Sequence, residues 1–309
     1  MLTQRHDPGH SRGHRQWEAS HQQLREVQSS LSDPAIALVS IALLIAAGRP
    51  VQGDCQMNWN PEQYLKFADA RQRPALDLLA RLDGRSASRI VDLGCGAGNI
   101  TQLLAERWPG AQIIGIDSDS AMLAKAAARV PTIDWRLAEI AHWQAEAPPD
   151  LIFSNAVLHW LDNHPRLLPQ LLVQLAAGGV LAVQMPANFT APSHRILREL
   201  AAEADWHEAL GGVRMGSICS AAEYWRLLML HCRHLELWET TYWQLLSGDD
   251  AVFEWMKGTT LLPYLACLGT VSAGHFLTVY RERLRRAYPR QPDGHTLFPF
   301  KRIFFVAQR

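Results

Sequence analysis

The strongest constraint on this chain is the run at residues 90–99, Ile-Val-Asp-Leu-Gly-Cys-Gly-Ala-Gly-Asn. A short apolar stretch carrying an acid passes into glycines at 94, 96 and 98, and a helical pattern over residues 100–108 follows at once. Glycine lets the backbone turn tightly and lets a ligand approach with no Cβ in the way. The free N–H groups at the start of the helix favour a polar ligand there. A strand, a glycine turn and a helix in that order fit an open α/β sheet, which binds ligands at the carboxyl ends of its strands.

The flanking sequence agrees. Apolar residues at helical spacing fill 61–82 behind Asn60-Pro61, which reads as an N-cap with Pro at the first helical position. Strand patterns at 89–93, 112–116, 133–137, 151–155 and 180–185 alternate with helical patterns at 100–108, 121–129 and 166–176. Strands separated by helices predict βαβ units and a parallel sheet. Past Pro186 the alternation weakens. Residues 193–232 and 249–288 read as mostly helical, and 235–246 and 301–307 as two further strands. The expected fold class is therefore α/β, with a mostly parallel sheet of seven strands.

Composition narrows the function. Of 309 residues 48% are hydrophobic, and 30 Lys and Arg balance 30 Asp and Glu. That excludes a disordered chain, and it provides no global positive field to attract nucleic acid. The cysteines at 55, 95, 219, 232 and 267 contain no Cys-x-x-Cys pair, which points away from a disulfide framework or zinc site and towards a reducing, cytoplasmic compartment. No metal site is expected, because the histidines after residue 57 form no His-x-His or His-x-x-x-His pair. Residues 1–56 differ from the rest: a polar, His-containing segment, then the 13-residue apolar run 35–47, broken only by Ser40. That run is too short to span a bilayer, which needs about 20 residues, though it suits a signal-peptide core. We read 1–56 as an extension, disordered or from a misassigned start, and the uniform composition from Met57 onward as the functional domain, with no membrane segment.

The site's acids specify a ligand. Asp92 sits near the carboxyl end of its strand, and Asp117 ends the next strand, where an acid can take both hydroxyls of a ribose. Asn99 stands where a dinucleotide fold would want its third glycine. A nucleoside with a cationic tail fits better than a pyrophosphate, while another kind of nucleotide fold stays open. Cys95 inside the turn could be a nucleophile, but a small residue filling the turn explains it better.

Asp92, Gly94, Gly96, Gly98 and Asp117 together resemble the class I S-adenosylmethionine-dependent methyltransferases. The resemblance implies a doubly wound, Rossmann-like methyltransferase fold with a helical substrate-binding cap. It implies S-adenosylmethionine as cofactor, with Asp92 and the turn, including Cys95 and Asn99, facing the methionine part. Asp117 and Ser118 would take the ribose, Glu139 the adenine side, and Asn155 and Ala156 would lie beside the sulfonium. A closer resemblance, to the trans-aconitate 2-methyltransferase family, rests on residues 58–61 (Asn-Trp-Asn-Pro), 71–74, 153–160, 184–189, 238–242, 252–259 and 298–302. It covers residue 57 to the C-terminus. His159 departs from it, standing where Gln is expected. The implied division is a cofactor half over about 57–186 and a substrate cap with the last strands over about 187–309.

The resemblance implies a monomeric carboxyl O-methyltransferase acting on a small polycarboxylate. A malonyl-thioester substrate, or a non-catalytic protein that binds S-adenosylmethionine, is the alternative. A carboxylate nucleophile is already ionised at neutral pH, so no general base is required and no catalytic residue is expected beyond orientation. Arg302 is the first candidate for the acid, because Arg clamps a carboxylate with two parallel N–H bonds. Strand alternation puts Phe300 and Arg302 on one face and Lys301 on the other, and Pro299 is expected to keep the preceding chain out of the sheet. Further candidates are Lys257, Tyr224, Tyr242, Trp243, Tyr280, Arg71, Arg73, His159 and Trp160. A solvated helix face explains Arg71 and Arg73 equally well, a helix-ending cation Lys257, and a packed loop anchor His159.

Overall fold

A computed structural model describes residues 68–309. The sequence readings of residues 1–56 and of the helix start at Asn60-Pro61 lie outside the described residues.

Helix α1 (Ala68–Ala80) leads into strand β1 (Arg89–Leu93), α2 (Asn99–Arg107), β2 (Gln112–Asp117), α3 (Ser120–Arg129) and β3 (Asp134–Leu137). Asp119 sets the start of α3, its carboxylate accepting from the N–H groups of Ala121 and Met122. Strand β4 (Leu151–Asn155), α4 (His164–Gln174) and β5 (Val180–Pro186) complete the parallel part. Then come α5 (Pro192–Ala201), α6 (His207–Leu210), α7 (Ala221–Leu228), β6 (His234–Ser247), α8 (Ala251–Lys257), α9 (Leu262–Cys267), α10 (Thr270–Ala287) and β7 (His295–Gln308). Of the helices between β5 and β7, α5, α6, α8, α9 and α10 pack together as a cap on one face of the sheet, and α7 packs on the other.

The seven strands form one sheet in the order β3-β2-β1-β4-β5-β7-β6. Strands β1 to β5 are parallel, and β7 runs antiparallel to both β5 and β6. The winding reverses between β1 and β4, which pair Asp92 with Phe153. Loops leaving the carboxyl ends of those two strands diverge there and open a crevice, the usual ligand position in such sheets.

Period-two alternation divides the core between the sheet's faces. Ile90, Phe153, Ala182, Phe304 and Val306 pack on one side with residues of α1, α5, α8 and α10. Val91, Ile152, Leu181, Ile303 and Phe305 pack on the other with α4 and Tyr224 of α7. Each such fully buried side chain stabilises the fold by roughly 1.5–3 kcal/mol. Among the described residues, no helix is long and apolar enough to cross a membrane.

Two expectations need correction. Residues 193–232 are not one helical region: between α6 and α7 the chain is irregular over 211–220, where Gly211, Gly212 and Gly216 weaken any helix. Strand β7 begins at His295 rather than 301, and Pro299 sits inside the ladder opposite Trp243. Pairing of β7 with β5 ends at Arg302. Beyond it β7 has β6 on one side only, and a sheet edge tolerates a residue that lacks an N–H.

Candidate functional site

The glycine turn follows β1 and is fastened to β2. The N–H groups of Gly94 and Cys95 donate to the Ile116 carbonyl at 2.8 and 3.0 Å. Gly96 N donates to Asp117 Oδ2 at 2.8 Å, and Asp119 N to Asp117 Oδ1 at 3.0 Å. Asp117 thus holds the turn and remains at the crevice, where it lines a narrow cleft with Gly94, Ser118, Glu139, Val157 and Trp160. Asp92 is buried, and the Thr101 hydroxyl donates to its Oδ2 at 2.7 Å. Burial pushes Asp92 up to about 7, the Thr101 bond opposes that, and the Asp117 charge adds to it. Burial, with Asp92 and Asp117 beside it, pushes the Cys95 thiol up as well, so Cys95 fills the turn as a neutral thiol. Asn99 opens α2, and its Oδ1 is buried with no hydrogen-bond partner among the described residues.

At the far side of the crevice, β4 ends in Asn155 and then Ala156, whose φ of 56° is left-handed. That conformation is uncommon for a residue with a Cβ and concentrates at functional sites. It is held by Ala156 N donating to the Gln184 carbonyl at 2.9 Å. The Gln184 side chain links two neighbours: its Nε2 donates to Asn155 Oδ1, and its Oε1 accepts from an Arg302 guanidinium N–H at 3.0 Å.

Arg302 leads into a cavity of about 150 Å³ that opens beside Asn155 and Ala156. Its guanidinium lies 3.9 Å from the centre of the Phe300 ring, and the residue is only 6% exposed. Arg71, Arg214, His159, Trp160, Asn188 and His194 also line the cavity, and no Asp or Glu among the described residues does. Burial first, then the Arg302 charge, holds His159 well below the ordinary histidine value, so the ring is neutral. His194 is pushed down to about 3 by burial and by Arg198. His159 Nδ1, Trp160 Nε1 and Asn188 Oδ1 are buried without hydrogen-bond partners among the described residues. A cationic, acid-free cavity with unmet polar atoms fits a small anion with several oxygens. Trp160 lines both this cavity and the Asp117 cleft, so the two are neighbours.

Residues 67–244 match the methyltransferase domain family. The trans-aconitate 2-methyltransferase of Azoarcus sp. is 48% identical over 252 residues, covering 81% of this chain and 99% of that protein. The chain belongs to the trans-aconitate 2-methyltransferase family. The trans-aconitate 2-methyltransferases of Methylobacterium nodulans and Streptomyces avermitilis are 46% and 47% identical, each over 82% of this chain and at least 97% of their own length.

Within this member of the trans-aconitate 2-methyltransferase family, the structure brings together Arg71, Asn155, Ala156, His159, Trp160 and Arg302 at the cavity. Other candidates lie elsewhere. Tyr224 is fully buried on the opposite face of the sheet, packed on Phe305 and bonded to His164. Tyr280 is fully buried in the cap, its hydroxyl donating to the Ser193 carbonyl. Trp243 is 60% exposed on the outer face of β6, and Lys257 is exposed at the end of α8. Tyr242 is buried, but its hydroxyl donates to Asp77 at 2.6 Å, and Arg73 stacks on its ring rather than lining the cavity. Sequence reasoning missed Gln184, Asn188, His194, Arg214 and Gly216. Searching the carboxyl end of the fifth strand, as was done for the fourth, finds Gln184 and Asn188. His194 comes from the first turn of α5, and Arg214 and Gly216 from the irregular segment before α7, and no local pattern encodes their convergence.

Proposed function

We propose that this protein methylates one carboxylate of trans-aconitate with S-adenosylmethionine, giving a monomethyl ester. The observation that carries this reading is the cavity lined by Arg302 and Arg71 beside His159 and Trp160, which adjoins the Asp117 cleft through Trp160. The crevice fits the cofactor: a Cβ at Gly94 or Gly98 would fall under 3.0 Å from Val157 or Trp135, so the turn offers bare backbone, and Asn99 has an unmet oxygen. Asp117 would hold the ribose, Asp92 and the turn the methionine part, Glu139 the adenine side. When bound, S-adenosylmethionine supplies an electrophilic methyl group on a positively charged sulfur.

The remaining work falls to the chain's own residues. Arg302 and Arg71 bind the acid, while the neutral His159 ring and Trp160 donate or accept around it. No general base is needed, since the nucleophile is an ionised carboxylate. Fixing its oxygen against the methyl and excluding water can supply roughly 7–11 kcal/mol. Cys95, Cys219 and Cys232 are free thiols, which supports a cytoplasmic site of action. The test is methyl transfer to a panel of trans-aconitate, citrate and a malonyl thioester. Turnover of the thioester with none of trans-aconitate overturns the reading.

Two further outcomes follow. Asp92, near 7 when its neighbour is absent, must ionise to meet the cofactor's cationic ammonium. Affinity for S-adenosylhomocysteine should therefore fall by up to about tenfold per pH unit below 7 and level off above it, with proton release on binding. Folding carries the opposite sign. A raised carboxyl binds its proton more tightly folded than unfolded, so the free protein loses stability as pH rises from about 4 to 7. Calorimetry in buffers of different ionisation enthalpy checks the first, and melting against pH the second; Asp92→Asn should remove both dependences. We also propose that residues 57–309 are the functional unit. The relatives align over 81–82% of this chain with nearly their full length, leaving about a fifth without a counterpart. A chain beginning at Met57 should keep its melting temperature and turnover; an insoluble or inactive product would refute this.

A further inference from the structure

Tyr224 and His164 face the core on the side of the sheet away from the cap, and neither lines the acid cavity. Their hydrogen bonds nevertheless end at two of its walls. The Cys219 N–H can only donate, and it gives its hydrogen bond to the Tyr224 hydroxyl oxygen at 3.2 Å. That hydroxyl is then free to donate to His164 Nδ1, 2.6 Å away. An accepting Nδ1 places the imidazole proton on Nε2, which donates to the Leu158 carbonyl at 2.8 Å. Every donor meets an acceptor, and only a neutral ring allows it. Burial holds His164 below the ordinary histidine value, in agreement. A fourth bond, Ser217 N to the His159 carbonyl at 2.8 Å, closes the circuit.

The circuit joins two short stretches of chain. One is the single helical turn Leu158–Trp160, whose His159 and Trp160 rings carry buried nitrogens without hydrogen-bond partners among the described residues. The other is the irregular segment through 214–219, whose Arg214, Met215 and Gly216 line the same cavity. The two walls touch: a Cβ on Gly216 would lie 2.7 Å from the His159 ring. Between turn and segment the Tyr224–His164 pair acts as the spacer. We propose that Tyr224 and His164 are positioning residues for the acid. They fix the His159–Trp160 turn against the 214–219 wall, and so set where the His159 and Trp160 nitrogens meet the substrate's carboxylates. The substrate named here rests on the functional reading above; the positioning itself does not.

The test uses the full chain with Tyr224→Phe, His164→Leu and His164→Gln, kinetics with both substrates varied, and the Trp160 indole N–H resonance, assigned by its loss in Trp160→Phe. Tyr224→Phe keeps the ring and deletes one hydroxyl. It and His164→Leu should raise the KM for trans-aconitate about 5- to 30-fold, the size of one or two misplaced hydrogen bonds. Affinity for S-adenosylhomocysteine should stay within threefold, and the Trp160 resonance should shift or broaden. Glutamine can both accept from Tyr224 and donate to Leu158, so His164→Gln should restore the KM to within threefold of the parent. Lower melting temperatures with unchanged KM and an unchanged Trp160 resonance overturn the proposal, because that is what a purely structural pair would give. If the parent enzyme leaves trans-aconitate untouched while the resonance still moves in Tyr224→Phe and returns in His164→Gln, the substrate reading fails and the positioning role stands.

Discussion

Arg302→Ala should weaken trans-aconitate binding by roughly 2–5 kcal/mol, the usual loss when one partner of a desolvated charge pair is removed. The guanidinium lies over the Phe300 ring and is tethered to Gln184, so it meets an incoming carboxylate already oriented. Arg302→Lys keeps the charge but loses the planar fork and should fall between the parent and the alanine variant. Cofactor affinity should move less than threefold in both. The opposing view makes Arg302 a strut for β7, since the residue is buried and pairs across to β5 and β6. Under that view both variants lose melting temperature and the KM values for acid and cofactor rise together. A preserved melting temperature with a raised acid KM therefore separates the two.

The alternation that assigned Arg302 to the pocket face was legible because it needs only strand geometry. Lys301 does point the other way, to Glu239 at 2.8 Å. Strands β1 and β4 were likewise readable to the residue. Both are flanked by strands and covered on both faces, so they appear in the sequence as short, mostly apolar runs, with Asp92 interrupting the first and Ser154-Asn155 ending the second. The same geometry shows why Tyr242 and Trp243 could not both face inward: adjacent strand residues take opposite faces, and Trp243 took the outer one. Tyr224 was a different failure. Its helix is amphipathic, which says that one side is buried but not against which face of the sheet. Its partner His164 lies 60 residues away. Gly216 and His194 were invisible for a related reason, since the irregular segment before α7 and the first turn of α5 meet the end of β4 only in the folded chain.

Gly94→Ala should lower the melting temperature by roughly 5–20 °C, taking a loss of about 2–5 kcal/mol at 2–4 °C per kcal/mol for a domain of this size. Two effects add. The φ of 75° is left-handed, which costs a residue with a Cβ about 1–2 kcal/mol. The new methyl would also lie 2.5–2.6 Å from three atoms of Val157. Val157 is 2% exposed and packed into the core cluster beneath the crevice, so it cannot withdraw, and overpacking of this kind costs about 1–3 kcal/mol. Gly110→Ala separates the two, for its φ is 90° and an added Cβ would meet nothing within 4 Å. That variant should lose only the conformational part and leave affinity for S-adenosylhomocysteine intact. Gly94→Ala should lose that affinity as well, because the same contact sets the distance between the turn after β1 and the loop after β4. Equal melting temperatures for the two variants would mean that Val157 yields to the methyl, and that the width of the crevice is fixed by something other than this contact.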